Sequence, residues 1–179
     1  MIWLIWPDIE KKYTNICVIQ KNVVPLQRKL CELNLITKKY IIMKPTHIEH
    51  LGIAVTSIEE AAPFFEFLTG NKCYSIEEVA DQKVRTAFFK VGEVKIELLE
   101  PTSEDSTIAK FIEKNSGRGG VHHVAFNVEN VAEALAECEA AGIQLIDKAP
   151  RKGAENLMIA FLHPKSTKGV LTELCQQPK

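Results

Sequence analysis

From residue 46 onward, apolar and polar positions follow a regular order. Residues 50–55, HLGIAV, alternate and predict a β-strand. Ser57 can cap a helix, with Glu60 three residues later at a capping-box spacing. That helix is expected to run to about Leu68 with Ile58, Ala61, Phe65 and Leu68 on one face, stopped by Gly70 and Asn71. Three strands are expected next, near residues 73–79, 83–91 and 94–99, with Gly92 and Glu93 in the tight turn between the last two. Pro101 closes the unit. A linking helix near residues 106–114 then leads to the GRGG turn at 117–120.

The order then repeats. A strand begins at His123, Asn130 caps a helix to about Ala141 with Glu133 at the box position, and Gly142 ends it. Strands are expected near residues 144–148, 157–162 and 169–174. The chain thus reads βαβββ, linker, βαβββ. Histidine opens each module, at His50 and His123, and glutamate sits in each last strand, at Glu97 and Glu173. The two His-to-Glu separations are 47 and 50 residues.

Side chains alternate across a strand, so His50, Gly52 and Ala54 share one face and Leu51, Ile53 and Val55 the other. The apolar face would take the helix, and the small residues beside the histidine leave room in a concavity. His123, Ala125 and Asn127 repeat the arrangement. A carboxylate inside a small barrel is costly unless charge compensates it. Two carboxylates and two neutral imidazoles suit one divalent cation, and the nitrogen donors favour a transition metal over calcium. The expected ligands are His50, Glu97, His123 and Glu173. Singly, each is more often structural or solvated; together, at matching places of a repeat, they point to a metal centre. His122 would turn to the opposite face as packing or support, and His47 and His163 read as surface residues.

Composition changes this picture little. With 179 residues, 46% hydrophobic and 25% charged, the chain suits one ordinary domain or two small modules. A net charge of −1 gives no field for nucleic acid, and no apolar run approaches a membrane span. Five scattered cysteines with no CxxC pair argue against a disulfide framework or a thiolate zinc site, and for a reducing compartment, cytoplasmic or the mitochondrial matrix. Residues 1–42 differ: both tryptophans, seven Lys/Arg against three Asp/Glu and no glycine. The pattern over residues 23–35 fits an amphipathic helix with Pro25 in its first turn. Residues 1–43 are expected to be an extension, disordered or not native, preceding a domain at 46–177 with modules of about 47–101 and 121–175.

Beyond the repeat, the text at residues 50–55, 96–101 (IELLEP), 105–111 (DSTIAKF), 119–126 (GGVHHVAF) and 162–174 (LHPKSTKGVLTEL) resembles the vicinal-oxygen-chelate superfamily, and within it the methylmalonyl-CoA epimerases. The resemblance spans about residues 46–177. It implies an α+β fold in which two tandem βαβββ modules form a half-open mixed β-barrel around a divalent metal (Co, Zn, Mn or Ni). The implied metal ligands are His50, Glu97, His123 and Glu173, the second of which is glutamine in some members. The implied substrate is methylmalonyl-CoA, and the implied assembly a homodimer. Chemistry in that family passes through an enolate stabilised by the metal, with a base on one face and an acid on the other; Glu173 and Glu97 are the expected catalytic pair. A further glutamate of some members falls near Thr86, which cannot carry a proton in the same way. Lys148, Arg151 and Lys152 could meet the CoA phosphates. Glyoxalase I and a metal-free binding protein of the same fold are the alternative readings.

Overall fold

The computed structural model describes residues 43–178. The helix expected over 23–35 and the extension to residue 42 lie outside the described residues. The described part belongs to a single compact unit, Ile42–Lys179.

In chain order the elements are β1 (His47–Ala54), α1 (Ile58–Thr69), β2 (Ser75–Val79), β3 (Val84–Val91), β4 (Val94–Pro101), α2 (Thr107–Lys114), β5 (Gly120–Asn127), α3 (Val131–Ala140), β6 (Arg151–Lys152), β7 (Met158–Leu162) and β8 (Thr172–Gln176). Among the described residues, all eight strands join one mixed sheet in the order β2-β3-β4-β1-β5-β8-β7-β6. β1 runs parallel to β4 and β5 parallel to β8, while β1 and β5 meet antiparallel at the centre. The two modules therefore join through their first strands, about a local twofold relation. This is the α+β, half-open barrel expected from the repeat.

Local chemistry explains the helices. Ser57 is extended and its side chain accepts from the Glu60 amide, while Gly70 turns left-handed (φ 69°) and its N–H returns to the Glu66 carbonyl. Each such cap is worth about 1 kcal/mol. Ser106 and Asn130 cap α2 and α3 in the same way. Helix α1 buries Ile58 against Val55, Ala87, Phe89 and Leu98, with Ala61, Ala62 and Phe65 alongside. Leu68, expected on that face, is exposed instead. Helix α3 packs Val131, Ala134, Leu135 and Cys138 on Ala160, Leu162 and Leu174. Both helices cover the outer face of the curl, leaving the inner face for the site. Helix α2 differs: Ile108 and Ile112 pack on Ala54, Val84 and Leu99, residues of the inner face, so it closes part of the concavity.

One strand departs from expectation. Residues 144–148 make only an isolated bridge, Leu145 to Leu162, and the strand pairing with β7 is Arg151–Lys152. The Asp147 side chain accounts for the break. Its Oδ2 accepts from the Phe161 N–H at 2.9 Å, where a neighbouring strand's carbonyl would otherwise sit. Similarly, residues 164–169 form turns, and β8 starts only at Thr172.

Candidate metal centre

The sheet register places the candidate ligands in two adjacent rows. In one, Glu97 on β4 lies beside Gly52 on β1, which lies beside His123 on β5. In the other, His50 on β1 lies beside Ala125 on β5, which lies beside Glu173 on β8. Each row reads acid, small residue, imidazole, and the rows are related by the twofold. The small middle residue is a requirement. A Cβ on Gly52 would lie 2.2 Å from His123 Cε1, so the imidazole occupies the space of the missing side chain.

These side chains converge. His50 Nε2 and His123 Nε2 are 2.9 Å apart. Glu173 Oε2 is 3.0 Å from His123 Nε2 and 3.7 Å from His50 Nε2. Glu97 Oε2 is 3.2 Å from His50 Nε2 and 3.7 Å from His123 Nε2. All four are buried, at 3–5% exposure. Donor atoms of His50, His123 and Glu173 all lie within 4.8 Å of one another and could hold a metal ion; Glu97 flanks that trio.

The donor set fits a divalent ion. Adjacent ligands at bonds of about 2.1 Å stand about 3.0 Å apart in an octahedron and about 3.4 Å apart in a tetrahedron. The separations of 2.9–3.7 Å in the site bracket those values. Moreover, both Nδ1 atoms are engaged elsewhere, leaving both Nε2 atoms facing the common point. His50 Nδ1 is 2.5 Å from Glu49 Oε2, and His123 Nδ1 is 2.9 Å from His122 Nδ1. Such partners fix the tautomer and orientation of metal-ligating histidines.

Glu49 was not legible in the alternation, which sends it to the face opposite His50. A β-bulge overrides this. In β1, Ile48 pairs Phe126 and His50 pairs Ala125, so Glu49 is the extra residue. Both Glu49 and His50 are consequently buried. A second bulge, in β5, does the same for His122. Gly52 pairs His123 and Ile53 pairs Val121, leaving His122 extra and next to the ring of His123. His122 thus supports His123, and it also lines the cavity rather than facing away from it.

Electrostatics separates the groups. Burial pushes the His50 imidazolium down, but the carboxylates of Glu97, Glu173 and Glu49 outweigh this and hold its pKa well above the ordinary value. Burial pushes Glu173 up, yet the hydrogen bonds with His123 and His50 prevail and carry it down to about 2. For Glu97 burial wins over both imidazoles, and its pKa is raised. Burial, then His123, takes His122 down to about 4, so that ring is neutral near pH 7.

Above the four residues lies a cavity of about 190 Å³. Its walls are mostly apolar, including Val84, Phe88, Leu99, Ile108, Ile159 and Phe161. Thr86 also faces it from β3, where its hydroxyl donates to the Glu77 carbonyl at 3.3 Å. Arg151 stands at its edge, over the Phe161 ring at 5.5 Å and paired with Asp147 at 3.3 Å. Lys148 and Lys152 are exposed and are not among its lining residues. His47 is exposed, and His163, half-buried just before the turns at 164–169, accepts at its Nδ1 from the Lys165 amide.

A curled mixed sheet built from two βαβββ halves, with paired His and Glu at its centre, defines a class. Residues 49–161 match the family model described as the Glyoxalase/Bleomycin resistance protein/Dioxygenase superfamily, and the chain belongs to that superfamily. Within it the chain is related to methylmalonyl-CoA epimerases. The human mitochondrial methylmalonyl-CoA epimerase is 35% identical over 129 residues, covering 72% of this chain and 73% of that protein. The Streptomyces coelicolor methylmalonyl-CoA epimerase, solved as a variant in complex with 2-nitronate-propionyl-CoA, superposes with a TM-score of 0.71 at 36% identity, over 75% of this chain and 96% of that one. A Bacillus subtilis (strain 168) protein named "Uncharacterized protein YqjC" is 44% identical over 129 residues, 72% of this chain and 91% of its own length. Among the described residues no helix is long and apolar enough to cross a membrane.

Proposed function

We propose that the chain is a metal-dependent methylmalonyl-CoA epimerase, interconverting the (R) and (S) forms of a thioester whose α-carbon also bears a carboxylate. The observation that carries this reading is the opposition of two acids. Inverting a carbon through proton removal and return needs proton carriers on opposite faces. The strand order β4-β1-β5-β8 sets Glu97 and Glu173 on opposite sides of the two imidazoles. In this reading His50, His123, Glu173 and Glu97 hold the ion, which when bound supplies Lewis acidity toward the substrate's thioester and carboxylate oxygens.

The side chains then divide the work. Glu173 takes the α-proton from one face. Glu97, on the opposite side of the imidazoles, returns a proton to the other face. The apolar walls exclude water from the carbanionic carbon and seat the alkyl group. Thr86 offers a hydroxyl at the cavity wall but no third carboxylate. Arg151, at the cavity edge, is the cation best placed for the anionic remainder of the thioester.

The test is proton NMR of methylmalonyl-CoA in deuterated water with the enzyme, with and without added divalent metal. The expected result is metal-dependent loss of the α-proton signal. Thioester formation from methylglyoxal and glutathione, with no exchange on methylmalonyl-CoA, would overturn the reading in favour of a glyoxalase.

A further inference from the structure

Behind His50 lies a second group of charges with no part in the proton transfers above. The bulged Glu49 is 2% exposed. Its Oε2 meets His50 Nδ1, and its Oε1 pairs with Lys95 Nζ and accepts from Gln177 Nε2 at 3.4 Å. Lys95 stands directly opposite His50 in the β1–β4 register, and its side chain is only 12% exposed. The same Nζ pairs with Glu155 Oε2 and lies 5.7 Å from the centre of the Phe88 ring.

Glu155 belongs to the short turn that leads into β7, and this turn is held against its own preference. Glu155 and Asn156 are consecutive non-glycine residues with positive φ, 52° and 59°. Such a conformation is uncommon for Glu, less so for Asn, and at Glu155 it persists where the surroundings impose it. The restraints come from the first module. Lys95 and the Tyr74 hydroxyl (3.0 Å) hold the Glu155 carboxylate, and Glu77 Oε1 accepts from its amide at 2.5 Å. Ala154, Glu155 and Leu157 of this segment wall the cavity.

We infer that Glu49 and Lys95 are positioning residues: Glu49 orients His50 for the metal, and Lys95, shared between Glu49 and Glu155, couples the metal site to the cavity-wall turn at residues 153–157. This inference rests on the metal centre that the proposed function requires. The coupling is reciprocal, so ion binding steadies the turn and loss of the turn's tether weakens the ion. A carboxylate behind a ligating histidine typically contributes 10–100-fold in metal affinity.

The experiment uses the full chain and Co(II) alone. Co(II) affinity by chelator competition is compared for wild type, Glu49→Gln, Glu49→Asp, Lys95→Met and Lys95→Arg, with thermal melts confirming that each folds. Amide hydrogen exchange over residues 153–157 is followed with and without Co(II). The expected result is a 10–100-fold weaker affinity for Glu49→Gln and Lys95→Met, partly restored in Glu49→Asp and Lys95→Arg. Co(II) should slow exchange in the turn of wild type and leave it unchanged in Lys95→Met. Affinity within twofold of wild type in folded Glu49→Gln would overturn the role of Glu49. Exchange in the wild-type turn that ignores Co(II) would overturn the coupling. Because neither readout uses a thioester, failure to epimerise methylmalonyl-CoA bears on the proposed reaction alone.

Discussion

The two halves of the centre are built alike and charged differently. In the first half, a bulge turns Glu49 onto His50 Nδ1, so the imidazole is backed by a buried carboxylate. In the second, a bulge turns His122 onto His123 Nδ1, so the backing group is a neutral ring packed edge-on against Phe111 at 5.1 Å. Duplication explains the shared geometry, and divergence of one residue in each half explains the difference. A carboxylate partner raises the basicity of the ligand it supports; a neutral imidazole orients its ligand with little change in charge. The site is thus symmetric in shape and asymmetric in electron donation. Glu173 and Glu97 carry the same asymmetry, one lowered to about 2 and the other raised.

The largest expected effect breaks the comparison between the acids. Glu173→Gln should abolish exchange of the substrate α-proton with deuterated solvent, a loss of 10²–10⁴-fold or more for one acid–base group. Glu97→Gln should keep ion affinity within about tenfold, since an amide oxygen can still donate, while epimerisation falls far more. Proton NMR and Co(II) titration of the two variants separate these outcomes. Full exchange in Glu173→Gln would remove that residue from the chemistry.

Next comes the comparison of the two small residues. Gly52→Ala drives a methyl group into the His123 ring and should cost about 100-fold in Co(II) affinity and about 1–3 kcal/mol in stability. Ala125→Gly, at the matching place in the other row, removes a methyl group instead. It should cost about 1 kcal/mol in a melt and leave affinity nearly unchanged.

A smaller effect sharpens the comparison of the supports. His122→Leu should weaken Co(II) only a few-fold, less than the loss expected for Glu49→Gln, because a neutral partner is removed rather than a charge. Equal losses would mean that the supports act by orientation only. The mildest perturbation, which changes no side chain, is pH. An ion must displace any proton on its imidazole ligands. The carboxylates around His50 hold its metal-free pKa well above the ordinary value, so a proton competes with the ion there up to higher pH than at a free imidazole. Apparent affinity should therefore rise with pH, by up to about tenfold per unit for that one proton until the His50 pKa is passed. Titrations at three pH values check the slope. His122, neutral above about 4, adds nothing to it.

Much of this was legible in the sequence, for identifiable reasons. Capping residues such as Ser57 and Gly70 act on their nearest neighbours, so their effect can be read from adjacent positions. The repeat placed His50, Glu97, His123 and Glu173 because strand alternation is itself local. What escaped was non-local. Whether Glu49 faces in or out depends on a bulge against β5, which no pattern in β1 alone records. The strand expected at 144–148 gave way because Asp147 bonds the Phe161 amide across the sheet. Glu155 reads as an ordinary loop acid until Lys95, 60 residues earlier, is seen beside it. The text HHV at 122–124 did hold a signal, since two adjacent histidines in one strand can face the same side only if the strand bulges.

The central claim is that His50, His123, Glu173 and Glu97 share one divalent ion. Anomalous diffraction at the cobalt edge, from crystals grown with Co(II), measures this directly. The account predicts a single dominant peak about 2.0–2.2 Å from both Nε2 atoms and from a carboxylate oxygen of Glu173. A peak elsewhere on the protein, with the four side chains left in contact only with one another, would contradict it.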